Sequence, residues 1–185
     1  MIPRAYKTEA IVLKRDNFSE TDRLVTILTP HHGKIRCIAK GIKRIHSRKA
    51  PHLELFNVIS AFIVNGKTLG IITEVSTVET FRNIRSDLTK IAYAYKAVEE
   101  VDRLCAEGAE NAVIYNLLRD ILWKIEQSYP DKLLSLSENF TLQLLWDLGF
   151  LPRAITLSGN ALERFLERVL ERTPKSAGFL TKVVS

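Results

Sequence analysis

Seven cations crowd one short stretch of the chain: Lys34, Arg36, Lys40, Lys43, Arg44, Arg48 and Lys49. From His31 to Ala50 no Asp or Glu separates them. Ammonium and guanidinium groups at this density suit a polyanion, whose phosphates exchange their condensed counterions for protein cations. The order of residues says how the charges are held. Ile35, Cys37 and Ala39 fall on one side of an alternating run, and Arg36 and Lys40 share the other side with Ile38, as in a half-buried strand with a basic wet face. Gly41 breaks the strand, and Lys43, Arg44, Arg48 and Lys49 continue on an exposed loop. The alternative is a basic loop that is merely solvated.

Other residues with chemical potential do not assemble into a recognisable site. All four histidines, His31, His32, His46 and His52, lie near the basic stretch. Zinc needs a defined set of Cys, His or carboxylate ligands, and these spacings supply none. Asp16, Glu20 and Asp22 cluster near a turn and have the chemistry to hold Mg²⁺, but Lys14, Arg15 and Arg23 stand beside them and ion pairing explains the cluster as well. Gly66-Lys67-Thr68 resembles the end of a phosphate-binding loop. The earlier glycine that loop requires falls on Ala61, and the residues after Thr68 read as strand and not as a helix start. There is no nucleophile elbow, HExxH or Cys–His pairing. The expectation is a binding protein, not an enzyme, and no cofactor.

The chain of 185 residues is 46% hydrophobic with pI ≈ 9.4 and formal net charge +6. Residues 1–82 hold 14 Lys and Arg against 7 Asp and Glu, whereas residues 83–185 hold 13 against 14. The basic character therefore belongs to the first part, and the two parts are expected to have different jobs. Cys37 and Cys105 cannot form a disulfide framework, which fits reduced thiols in the cytoplasm. The N-terminus lacks the apolar core of a signal peptide, and no run approaches the roughly 20 apolar residues of a membrane span.

Before residue 81 the apolar period is two. Strands are expected over residues 6–14, 23–29, 34–40, 56–64 and 69–78, with Asn65-Gly66 as a hairpin turn whose residues accept positive φ. Five short strands without intervening helices predict a small closed or partly closed barrel. After Phe81 the period becomes 3.6. Helices are expected through Leu88–Leu104, Ile114–Ile125, Phe140–Leu148 and Leu162–Leu170, the third closed by Gly149 and the fourth capped by Asn160 with Glu163. Trp123 and Trp146 are expected to be core or partly buried. The predicted class is α+β: an N-terminal five-stranded barrel of the oligonucleotide/oligosaccharide-binding (OB) type over residues 1–81, then an α-helical domain over 82–185.

Several blocks, in order, resemble the RecO family of bacterial DNA-repair proteins. They are Tyr6-Lys7-Thr8-Glu9-Ala10-Ile11-Val12-Leu13, Ser19-Glu20-Thr21-Asp22-Arg23-Leu24-Val25-Thr26, Gly33-Lys34-Ile35-Arg36, and Ala39-Lys40-Gly41 with Ser47-Arg48. Glu79, Arg82-Asn83 and Asp87-Leu88 are similar to the start of the family's helical domain, Leu148-Gly149-Phe150-Leu151-Pro152 to the end of its central helix, and Lys175-Ser176 with Phe179-Leu180 to its C-terminal ending. Many members follow the Gly-Phe-x-Pro segment with a four-cysteine zinc module. Here Arg-Ala-Ile-Thr-Leu-Ser-Gly follows Pro152; the pattern reads as an internal loss, and zinc is not carried over.

The resemblance implies recombination mediation: binding single- and double-stranded DNA, annealing complementary strands, and helping RecA load onto DNA coated by single-strand-binding protein. The implied partners are RecR and the acidic C-terminal tail of single-strand-binding protein. The helical domain is expected to take that tail, with Arg119, Lys124, Arg153, Arg164 and Arg168 as the available cations. Of the barrel aromatics only Phe18, Phe56 and Phe62 have the chemistry to stack on bases, and Phe56 and Phe62 are expected in the core. Backbone contacts should therefore outweigh stacking. Two rivals stand beside this function: an adaptor whose basic loop grips an acidic protein instead of DNA, and a nuclease built on Asp16, Glu20 and Asp22.

Overall fold

The computed structural model describes residues 4–170, so the Lys175-Ser176 and Phe179-Leu180 block lies outside the described residues. The protein is α+β. Five strands, β1 (Ala5–Asn17), β2 (Arg23–Thr29), β3 (Gly33–Ala39), β4 (Val58–Asn65) and β5 (Gly70–Glu79), close into a barrel in the order β1-β2-β3-β5-β4. Neighbours are antiparallel except at the closing seam. There β3 and β5 run parallel and pair only at Cys37↔Gly70 and Ile38↔Ile71. Alternation sets the inside: Ala10, Val12, Val25, Ile27, Cys37, Ala39, Ile59, Ala61, Ile63 and Ile72 fill the barrel, as the pleat requires.

The connection from β3 to β4 is a long series of turns. Ile42 and Leu53, 5% and 0% exposed, reach from it into the barrel core. Two apolar anchors fix the loop, so its exposed residues are presented from a held backbone.

The β4–β5 hairpin forms where expected, but its turn differs. Asn65 remains in the strand, paired with Gly70. The connection spans residues 66–69, and Gly66 is not among the positive-φ glycines. Gly66 is needed for close approach: a Cβ there would meet the Leu69 carbonyl oxygen at 2.5 Å. The Asn-Gly signal marked the hairpin correctly and the turn type wrongly, because a four-residue connection needs no left-handed pair.

Contacts divide the described residues into two units. The first holds the barrel together with Ala106–Tyr115, and the second holds Phe81–Cys105 and the chain from Asn116 on. Residues 106–115, assigned by sequence to the helical domain, therefore pack with the barrel. The amide of Gly108 donates to the Lys34 carbonyl at 2.8 Å, and Glu107 bridges Lys34 in parallel fashion. This segment occupies the half of β3 that β5 leaves unpaired. Gly33 makes the contact feasible: its φ is +63°, and a Cβ there would lie 2.0 Å from the Ala109 oxygen.

The helices are α1 (Arg82–Ser86), α2 (Leu88–Leu104), α3 (Ala112–Gln127), α4 (Leu133–Asp147) and α5 (Gly159–Leu170). The short α1 was not expected from the sequence; five residues carry too little periodicity to register. Its start is held from α3, because the Glu126 carboxylate accepts from the amides of Asn83 at 3.0 Å and Ile84 at 2.9 Å. Asp87 caps α2 by accepting from the amides of Thr89 and Lys90. The helix expected over Phe140–Leu148 begins seven residues earlier, at Leu133. The cap expected at Asn160 lies one residue inside α5, which starts at Gly159. Trp146 is partly buried and donates from Nε1 to the Ile155 carbonyl at 3.0 Å. Trp123 is more open, 39% exposed, with its ring edge-on to Phe81. Leu142, Leu145, Leu151, Leu162 and Leu166 form an apolar cluster of the helical unit. Among the described residues no helix is long and apolar enough to cross a membrane.

Candidate nucleic-acid interface

The seven cations of the basic stretch receive different environments. Lys40, Arg44 and Arg48 are exposed. Arg44 and Arg48 enter no ion pair among the described residues. Lys40 stands in the field of the Asp22 carboxylate. Lys43 is half-buried, donating from Nζ to the Ser19 carbonyl at 2.7 Å and from its amide to the Thr21 carbonyl at 3.0 Å. Lys49 is also half-buried, and its Nζ donates to the Ile72 carbonyl of β5 at 2.9 Å. Lys34 is 8% exposed and Arg36 remains exposed. The structure thus brings Lys40, Arg44 and Arg48 to one open loop, assigns Lys43 and Lys49 to holding that loop, and withdraws Lys34 from the surface.

The acid-free character of residues 31–50 is a property of the sequence and not of the folded surface. The segment after α2 carries two acids to the same strand region. Arg36 Nε lies 2.8 Å from Glu107 Oε1, and His31 Nδ1 lies 3.5 Å from Glu110 Oε1. No local signal in residues 31–50 announces these partners, which come from some 70 residues away in the chain.

The β1–β2 turn meets the loop through Asp22. Its carboxylate accepts from the Gly41 amide at 2.8 Å and from Thr21 Oγ1 at 2.9 Å. The backbone amides of Phe18 and Ser19 both donate to the Asp22 carbonyl at 3.3 Å. The Gly41 amide, followed by the Thr21 hydroxyl, holds the Asp22 carboxyl below its ordinary pKa. Gly41 has φ +68°, which lets the chain leave β3 and aim its amide at Asp22. Asp16 pairs with Lys14 at 2.9 Å. Among the described residues no three His, Cys, Asp or Glu side chains gather into a group able to hold a metal.

Apolar side chains also open onto these turns. Phe18 is 51% exposed and Ile45, at the tip between Arg44 and His46, is 97% exposed. Phe56 is buried as expected, whereas Phe62 is only partly buried. Ile45 was not singled out by sequence, because the period-two and period-3.6 patterns that flag apolar positions do not operate in a turn.

The histidines serve separate local roles. His32 stacks at a tilt on Tyr6, with ring centroids 4.2 Å apart. His52 Nδ1 accepts from the Thr77 amide at 3.2 Å, which places its proton on Nε2 when neutral. His46 is exposed. Cys37 lies inside the barrel, where burial pushes its thiol up to about 12.

Comparison with known proteins adds to this geometry. The model described as "Recombination protein O N terminal" matches residues 1–81, and the one described as "Recombination protein O C terminal" matches residues 85–155. Similar curated proteins are called DNA repair protein RecO. The one from Roseiflexus sp. (strain RS-1) is 40% identical over 153 residues, covering 83% of this chain and 53% of its own length. That from Symbiobacterium thermophilum is 36% identical over 160 residues, covering 85% and 62%. One from Dehalococcoides mccartyi (strain 195) is 29% identical over 178 residues, covering 96% and 69%. The chain thus spans about half to two thirds of the length of these relatives. Two models of one family match in chain order, the first over the barrel and the second over most of the helices: the chain belongs to the RecO family.

Proposed function

We propose that the chain is a recombination mediator that binds single- and double-stranded DNA through the β3–β4 loop. The observation that carries this function is the exposure of Lys40, Arg44 and Arg48 on a loop anchored by Ile42 and Leu53. Cations that enter few internal contacts keep their capacity to neutralise phosphates. Because they meet the backbone and not base edges, binding is largely independent of sequence. Lys43 and Lys49 position the loop, Arg36 contributes once free of Glu107, and Lys34 contributes least.

Annealing follows from the same electrostatics. Two strands whose phosphates are neutralised repel less, and a site that leaves Watson–Crick edges open lets them pair. The names of the relatives support a role in DNA repair and the descriptions of the family models a role in recombination; the proposed compartment is the cytoplasm. Loading of RecA, with RecR and the tail of single-strand-binding protein as partners, completes the proposed activity, with the helical unit receiving the tail. Its cations differ in availability: Arg164 and Arg168 are exposed on α5, whereas Arg153 is paired with Asp147 at 2.6 Å. No covalent chemistry is assigned to the chain.

The test is incubation of complementary labelled strands with the protein and Mg²⁺ over a salt series. Salt-dependent binding, faster duplex formation and intact strands are expected. Binding to an acidic partner protein with none to naked DNA would favour the adaptor, and shortened strands would favour the nuclease.

A further inference from the structure

Phe18 and Ile45 are large apolar side chains left open to water, 51% and 97% exposed. Leaving such side chains open to water is unfavourable. The backbones that carry them are tied together. Asp22 accepts the Gly41 amide, Lys43 Nζ donates to the Ser19 carbonyl, and the Lys43 amide donates to the Thr21 carbonyl. Phe18 adjoins Ser19 and Ile45 lies two residues beyond Lys43, so one hydrogen-bonded frame presents both.

Charge around this frame is polarised. Lys40, Arg44 and Arg48 are exposed on the loop. Glu20, the exposed acid of the β1–β2 turn, enters no ion pair among the described residues. A phosphate is drawn to the loop arginines and to Lys43, whose Nζ lies at the Ser19 carbonyl beside Phe18. A strand whose phosphates these cations hold can offer an unpaired base to the exposed Phe18 and Ile45.

We infer that Phe18 and Ile45 form an apolar platform for an unpaired base, giving the loop a preference for single strands. A duplex keeps its base faces stacked inside and cannot offer one to the platform, while a single strand can. Two side chains flanked by cations suit one planar base. They fall far short of the roughly 800 Å² per partner of a stable protein interface. This inference rests on the proposed DNA binding and adds base contact to it.

The experiment compares the full-length chain with Phe18→Ala, Ile45→Ala and the double variant. Probes are a 20-nucleotide oligo(dT), the same backbone with abasic sites, and a 20-base-pair duplex, all at one salt concentration. The double variant should lose about 5- to 150-fold in affinity for oligo(dT), the range for one stacked base, with duplex affinity and salt slope unchanged. Wild type should bind the abasic strand about as weakly as the double variant binds oligo(dT). Unchanged oligo(dT) affinity in the double variant, or an equal loss on strand and duplex, overturns the platform while leaving DNA binding standing. Variants that keep all DNA binding but lose binding to a purified partner protein identify a protein-docking site instead and also overturn it. A wild type that binds none of the probes overturns both the platform and the proposed function.

Discussion

Arg36 and Glu107 meet as an ion pair, Nε to Oε1 at 2.8 Å, although 71 positions separate them in the chain. Both side chains are about half exposed, so the pair contributes little to stability. For the proposed DNA binding its effect is on charge, because Glu107 occupies a cation that a phosphate could otherwise use. Glu107→Gln should free Arg36 and raise the salt slope of DNA binding by up to about 0.7–0.9, the value of one added phosphate contact. Anisotropy titrations over a salt series measure this. An unchanged slope would mean that Arg36 is not on the DNA path.

The segment bearing Glu107 is fixed by Gly33. Gly33→Ala places a Cβ against the Ala109 backbone and forces a positive φ on alanine. A cost of roughly 1–3 kcal/mol is expected for such backbone strain, read as a lower urea midpoint with unchanged m-value. A Gly33→Ala protein with wild-type stability would show that residues 106–110 do not pack on β3 as described.

Much of this was legible in advance and some was not. Strands and long helices appear in the sequence because burial imposes a period of two or 3.6, and that change of period marks where strands give way to helices, though not that residues 106–115 pack with the barrel. The run from Gly33 to Lys49 was legible because charge density needs no fold to be seen. What could not be read was which cations the fold uses for itself. The hydrogen bonds of Lys43 to Ser19 and Lys49 to Ile72, and the approach of Glu107 to Arg36, are long-range contacts without a local pattern. The same limit hid the role of Asp22. Among three nearby carboxylates, only the folded loop shows that this one is engaged with the Gly41 amide.

Asp22 supplies a prediction of its own. Its carboxyl is held below the ordinary value, so the ionised form is favoured in the folded state. That contribution is present above the unfolded pKa and is lost as pH falls through the folded value. Asp22→Asn should speed hydrogen exchange at the Gly41 and Lys43 amides near pH 7 while leaving the barrel strands protected. Equal exchange in variant and wild type would remove Asp22 as the tie between the two turns.

Glu100 behaves in the opposite sense. It is fully buried in the helical unit, accepts from Thr141 Oγ1 at 2.8 Å, and burial pushes its carboxyl up to about 7. The folded state then holds a proton that the unfolded chain has released. This carboxyl's contribution to stability is greatest below its unfolded pKa and falls as pH rises through about 7, beyond which the penalty is constant. Glu100→Gln should therefore raise Tm at pH 8, by about 2–4 °C for each kcal/mol recovered, and change it little near pH 4. A variant less stable than wild type at pH 8 would contradict this.

The most direct measurement of the central claim is the salt dependence of DNA binding by wild type and by Lys40→Ala/Arg44→Ala/Arg48→Ala. These three side chains are exposed, so folding should change by no more than about 0.5 kcal/mol per site. The slope of log K against log salt should drop by roughly 2–3, at about 0.7–0.9 for each lost phosphate contact. The loss should be similar on unrelated sequences. A folded triple variant with wild-type affinity and wild-type slope would contradict the account, because DNA would then be held somewhere other than this loop.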